Sequence, residues 1–148
     1  MRSPAAERRL VLLGLGALAA CASPTTRQIA GLETRGIVLT VNFDLNSYAI
    51  RPDARPLLDT LADAMTDPRL SRHRYEINGH TDSTGRLARN LALSELRAAA
   101  VVDYLAAKGV PRDRMRAQGF GPLQPLDPAN PRDPANRRVE VFAIPPPE

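Results

Sequence analysis

RYEINGHTDSTGRLARNLALSELRAAAVVDYLAAK, residues 74–108, is the stretch on which the fold turns. From Arg74 to His80, Tyr75, Ile77 and Gly79 alternate with polar residues, the period of a half-buried strand. From Leu87 to Lys108 the period lengthens. At about 100° per residue, Leu87, Leu91, Ala98, Val102 and Leu105 fall within about 60° of one direction, the expected buried stripe of a helix. Gly109 and Pro111 close that helix. A strand, a short polar turn and a long amphipathic helix in succession are half of a layered α/β unit.

Working outward, Ile37 to Phe43 (IVLTVNF) alternates with Ile37, Leu39, Val41 and Phe43 on one face and reads as a strand. Asp44 to Arg51 is a polar loop. Asp53 to Met65 places Leu57, Leu58, Leu61, Ala62 and Met65 at helical spacing, with Pro56 in the first turn, where its missing N–H is not needed. Met115 to Gly119 reads as a short third strand and Val139 to Ile144 as the last. Between them Pro122, Pro125, Pro128, Pro131 and Pro134 recur every third residue, which favours an extended or turn-rich surface loop over a helix. The order β-α-β-α-β-(loop)-β predicts a two-layer α/β sandwich. The expected organisation is a leader at 1–20, a tether at 21–36, the domain at 37–144 and a tail at 145–148.

Composition limits what such a domain can do. The chain has 148 residues, 43% of them hydrophobic and 24% charged, room for one domain with a modest aliphatic core. The net charge of +4 and pI near 10.0 invite a nucleic-acid reading. However, Arg2, Arg8 and Arg9 lie in the first twenty residues with a single acid, Glu7. The remainder carries about +2 with acids interspersed, so no basic stripe is left for a phosphate backbone, and nucleic acid is not an expected partner.

The N-terminus reads as an address and an anchor. A basic stretch, Met1 to Arg9, precedes the apolar Leu10 to Leu18 and then Leu18-Ala19-Ala20-Cys21, whose cysteine is the only one in the chain. An apolar run of about nine residues is too short to span a bilayer, which takes roughly twenty. Leu-Ala-Ala-Cys resembles a bacterial lipobox, which implies cleavage before Cys21 and lipidation of it. Two or more acyl chains hold a protein firmly on a membrane. Ala22 after the cysteine implies, by analogy with bacterial sorting, the outer membrane. Ala22 to Gly36 has no sustained period and reads as a tether reaching roughly 50 Å at full extension.

The chemistry concentrates between the second strand and the second helix. Asn90, Ser94 and Arg97 form one row along the margin of the helical stripe, facing the seam where the helix meets its neighbours. Leu93 points to the same rim. Just upstream, Gly79-His80-Thr81-Asp82-Ser83-Thr84-Gly85 carries a strand end into a helix start, where free N–H groups suit a carboxylate. Asp82 offers a carboxylate and Arg97 a planar fork, a pair suited to a zwitterion such as the free end of an amino acid. The same residues admit plainer roles: Asp82 or Ser83 capping the helix, or Arg97 and Asp82 forming a structural ion pair. His80 and Asp82 also make an H-x-D arrangement that could suggest a metal-dependent hydrolase. With His73 the only other histidine and Cys21 spent at the terminus, a ligand set is hard to complete, and neither metal nor cofactor is expected.

Asn78 to Gly85, Asn90, Leu93-Ser94-Glu95-Leu96-Arg97-Ala98, Val101 to Leu105, Asn136-Arg137-Arg138-Val139-Glu140 and the opening Asn42-Phe43-Asp44-Leu45-Asn46 together resemble the OmpA-like peptidoglycan-binding domain. With the lipobox, the whole chain is similar to the peptidoglycan-associated lipoproteins. The resemblance implies helices on one mixed sheet and a binding protein, not an enzyme. It also implies non-covalent binding of the diaminopimelate of the peptidoglycan stem peptide, so that a lipid-anchored protein facing the periplasm links outer membrane to cell wall. It carries ligand contact onto Asp82 and Arg97, pocket lining onto Asn90 and Leu93, and closure of the other side onto Phe43 and Asp44. Leu96 departs from the family, which commonly has a second arginine there; its direction is away from the pocket. Other envelope proteins are further partners on this reading, and a scaffold working through protein contacts alone is the alternative. Leu105→Ala in the buried stripe should cost about 2 to 5 kcal/mol, whereas Arg97→Ala should leave the fold largely intact.

Overall fold

The computed structural model describes residues 36–148; the leader, Cys21 and the tether through Arg35 lie outside the described residues. Strand β1 (Gly36–Asn42), helix α1 (Arg55–Met65), strand β2 (Arg74–Gly79), helix α2 (Leu87–Ala107), strand β3 (Met115–Gly119) and strand β4 (Arg138–Ile144) follow in that order, each within two residues of its expected bounds. Single 3-10 turns precede or follow several of them, among them Pro52–Ala54, which leads into α1 and takes up the first residues expected to be α-helical. The proline-rich stretch is a chain of turns, as a Pro at every third position requires.

The four strands form one mixed sheet in the order β1-β4-β2-β3. β4 lies antiparallel to both neighbours, and β2 runs parallel to β3 through the crossover made by α2. One sheet face carries Val41, Tyr75, Ile77, Val139, Val141 and Ala143, all buried. Leu58, Leu61, Ala62 and Met65 of α1 and Ala98, Val101, Val102 and Leu105 of α2 complete this core. Because β2 and β3 are parallel, both end at the same edge of the sheet, at Gly79 and Gly119, which pair in register.

At that edge α2 lies almost on the backbone. A Cβ on Gly79 would collide with the Ser94 carbonyl, and one on Gly119 would stand 2.6 Å from the Glu95 backbone nitrogen, so only glycine admits the helix this close. Ser94 completes the junction, its hydroxyl donating to the Leu91 carbonyl (2.7 Å) and accepting from the Gly121 N–H (2.9 Å).

Two expected core residues are exposed: Leu57 at 48% and Leu87 at 49%. Leu57 lies on the margin of α1, outside the stripe made by Leu58, Leu61, Ala62 and Met65. Leu87 precedes Ser94, the residue seated on the strand ends, by about 10 Å of helix, so the first turns of α2 overrun the sheet. There the buried positions belong instead to Asn90, Ser94 and Arg97.

Candidate functional site

The overrun of α2 past the strand ends creates a recess between the helix, the turn after β2 and the loop after β1. Leu45, Asn46, Thr81, Asp82, Thr84, Asn90, Leu93, Arg97 and Arg137 line it, and its free volume is only about 10 Å³. That is the room of about one water molecule.

Arg97 lies at the bottom of this recess with none of its surface exposed. Its Nε donates to the Ser47 carbonyl (2.8 Å), Nη1 to His80 (3.0 Å) and Nη2 to Asp44 (2.9 Å). The guanidinium also lies over the Phe43 ring, 5.3 Å from its centroid, a cation–π contact. Five N–H groups belong to a guanidinium, so two remain, one on each terminal nitrogen. Burial, and then the charge of Arg137, lowers the Arg97 pKa to about 10, while Asp82 opposes the shift; the side chain stays charged at neutral pH. An arginine that ties three backbone carbonyls together holds the fold as well as facing the recess. The expectation that Arg97→Ala spares the fold is therefore corrected.

Asp82 is nearly as buried, at 4%. Its Oδ1 accepts the Thr84 N–H at 2.8 Å, the local ring that Asp favours in a turn, and its Oδ2 faces Arg137 Nη1 at 3.3 Å. The charged partner of Asp82 is thus Arg137, not Arg97. Nor does Asp82 or Ser83 cap α2, whose N-cap position is Arg86 with no side-chain cap. Asn90 donates to the Thr84 carbonyl (2.9 Å) and reaches that of Asp82 (3.5 Å), fixing the turn that presents the carboxylate.

The remaining expected residues fall in different places. Leu93 lines the recess. Phe43 is buried beneath Arg97, not on the wall. Asp44 contributes its carbonyl to Arg97, while its carboxylate turns outward to Arg51 at 3.0 Å. Leu96 faces away, 47% exposed. Ser94 is spent on the backbone junction. His80 stacks on Phe120, with ring centroids 5.6 Å apart, and stands 3.6 Å from the Glu140 carboxylate, so it and Asp82 of the H-x-D arrangement are partnered separately. Among the described residues no group of three His, Cys, Asp or Glu stands together as a metal set.

The residue that inspection of the sequence missed is Arg137. Its Nε donates to the Phe43 carbonyl at 3.0 Å, so it reaches the recess from β1's far end while its own backbone leads into β4. The Asn136-Arg137-Arg138 run before the last strand was the signal available; the insertion of β4 between β1 and β2, which carries that run to Asp82, was not.

Comparisons with known proteins cover the region that holds these residues. Residues 42–138 match the model of the OmpA family. A peptidoglycan-associated lipoprotein of Brucella melitensis is 38% identical over 114 residues, 77% of this chain and 64% of the relative, so the chain spans somewhat less than two thirds of that protein's length. Outer membrane protein A of Escherichia fergusonii is 32% identical over 115 residues, covering 76% of this chain and 47% of its own. Among solved structures, the peptidoglycan-associated lipoprotein from Burkholderia pseudomallei superposes with a TM-score of 0.64 at 30% identity, over 71% of this chain and 89% of that one. The matched region opens at the end of β1 and closes at the start of β4, enclosing Asp82, Asn90, Arg97 and Arg137, and on this match the chain belongs to the OmpA family.

Proposed function

We propose that this chain is an outer-membrane lipoprotein that binds peptidoglycan without a covalent bond and so links the outer membrane to the cell wall. The ligand group is the free end of diaminopimelate in the stem peptide, an ammonium and a carboxylate on one carbon. The observation that carries this reading is the buried Asp82 carboxylate, set in one recess with the Arg97 guanidinium. Asp82 takes the ammonium, and the two uncommitted N–H groups of Arg97 take the carboxylate. Asn90 holds the turn that aims Asp82, and Leu93 supplies the apolar wall. Phe43 and Asp44 act from below, as ring and carbonyl under Arg97. The work is binding, not catalysis: His80 is stacked on Phe120, and the relatives include peptidoglycan-associated lipoproteins.

Attachment to the membrane rests on Cys21. Among the described residues no helix is long and apolar enough to cross a bilayer. Cys21→Ser should leave an unprocessed or soluble protein without lipid label, and label that survives the substitution refutes the anchor. The site is tested by binding isotherms with a stem peptide containing diaminopimelate and with one containing lysine, which lacks the second carboxylate. Asp82→Asn keeps the Thr84 contact through its remaining oxygen but takes the carboxylate from Arg137, so the fold should lose about 1 to 3 kcal/mol while binding to the diaminopimelate peptide is lost. Equal affinity for the two peptides, or undiminished binding by Asp82→Asn, defeats the reading.

A further inference from the structure

The recess holds two guanidinium groups and one carboxylate, and the two arginines differ in what they have left to give. Arg97 is wholly buried, with three of its nitrogens on backbone carbonyls. Arg137 is 21% exposed along its side chain, is anchored at Nε to the Phe43 carbonyl, and places Nη1 against Asp82 Oδ2 at the long distance of 3.3 Å. Among the described residues its Nη2 makes no hydrogen bond. With Thr84 on Oδ1 and Arg137 on Oδ2, both carboxylate oxygens of Asp82 are engaged. The volume of about 10 Å³, the room of one water-sized group, does not take an ammonium and its neighbouring carboxylate together beside them. Resting on the function proposed above, we propose that Arg137 is the specificity residue of the site: it occupies the ammonium position on Asp82 and, displaced by the ligand's ammonium, turns about its Phe43 anchor to grip the carboxylate on the same carbon.

Charge balance makes this exchange selective. Asp82 and the two arginines carry a net charge of about +1 at neutral pH. A ligand end with ammonium and carboxylate together gives every group a partner: the ammonium meets Asp82 and the carboxylate lies between two guanidiniums that repel each other. A ligand with the ammonium alone would strip Arg137 of its only carboxylate and add a third positive charge to a half-closed recess, where charges are poorly screened. The repulsion between the arginines is already visible in Arg97, whose pKa the Arg137 charge helps to lower. The Nε anchor matters because a tethered fork loses little freedom when it changes partner, whereas an ammonium on a free stem has no second point to hold it.

The test compares wild type, Arg137→Gln and Arg137→Lys by isothermal titration with the diaminopimelate and lysine stem peptides. Melting curves confirm that each variant is folded at the assay temperature. Wild type should prefer the diaminopimelate peptide by about tenfold or more. In Arg137→Gln affinity for that peptide should fall about tenfold while affinity for the lysine peptide holds or rises, because the competitor on Asp82 has gone, so the ratio collapses toward one. Arg137→Lys keeps the charge without an anchored fork and should lose most of the ratio too, which serves if the glutamine variant is unstable. A wild-type ratio in either folded variant overturns the role of Arg137. Absence of any preference in wild type instead overturns the function on which it rests, so the two failures are told apart.

Discussion

Two arginines at opposite ends of the sheet do the same structural work, and only one stands in the candidate recess. Arg114, beside the start of β3, donates Nε to the His73 carbonyl (2.9 Å), Nη1 to Met65 (2.9 Å) and Nη2 to Leu70 (2.6 Å), and lies over the Tyr75 ring at 5.4 Å. Arg97 repeats the pattern at the other end with Ser47, His80 and Asp44 over Phe43 at 5.3 Å. Each staples a loop that leaves an element of the first half of the chain to the second half. The Arg114 end even has the larger hollow, about 220 Å³ among Arg74, Glu76, Asp113 and Arg116. What it lacks is a buried carboxylate presented by a turn at the start of a long helix, opposed by a second guanidinium. A stapling arginine and a hollow are common to both ends; a buried carboxylate set against two guanidiniums is found at one.

The largest effects are expected when each staple is removed in turn. Arg97→Ala takes the Arg97 donor from the Ser47 and His80 carbonyls, leaves that of Asp44 with the Ser47 N–H alone, opens an unfilled space above Phe43, and should cost about 3 kcal/mol of stability as well as peptidoglycan binding. Arg114→Ala, whose half-buried side chain lets water reach the freed carbonyls, should cost about 2 kcal/mol and leave binding intact. Chemical denaturation and co-sedimentation with peptidoglycan check the two. A stable, non-binding Arg97→Ala would return Arg97 to a purely ligand-facing role.

The recess end carries a buried group that responds to acid. His80 sits behind the recess at 1% exposure, and burial, helped by the charge of Arg138 and opposed by that of Glu140, lowers its pKa from 6.5 to about 4. In that window the unfolded chain takes up the proton and the folded chain does not. The contribution of His80 is therefore present above pH 6.5 and is lost as pH falls toward 4, by up to ~3 kcal/mol. Melting of wild type against His80→Gln across this range checks it: the variant should lose less stability on acidification, and parallel curves would show that His80 is not the titrating group.

The smallest effect is expected at the exposed start of α2. Leu87→Ala should change stability by no more than about 0.5 kcal/mol, whereas a buried leucine there would cost about 2 to 5 kcal/mol. A large loss in denaturant would mean that the first turn of α2 is covered in solution by another surface of the protein.

The strands and helices were legible because alternation and helical spacing are local, and the elements come within two residues of where Tyr75-Ile77-Gly79, Leu58-Leu61-Met65 and Val101-Leu105 put them. Leu87 and Leu57 were misplaced for a reason periodicity cannot see: a hydrophobic angle says which way a side chain points, not whether a sheet still lies beneath it. At the site, the identities of Asp82, Asn90, Leu93 and Arg97 could be read, but not their pairing.

Local sequence pattern accounts for the layers, for the turn and helix that bring Asp82 and Arg97 into one neighbourhood, and for the glycines that let α2 rest on the strand ends. That Asp82 faces Arg137 and that Arg97 is sunk among carbonyls are outcomes of long-range packing. Both follow from β4 lying between β1 and β2, which brings residue 137 beside residues 43 and 82. Strand order depends on long-range pairing across the whole chain, and no local pattern encodes it.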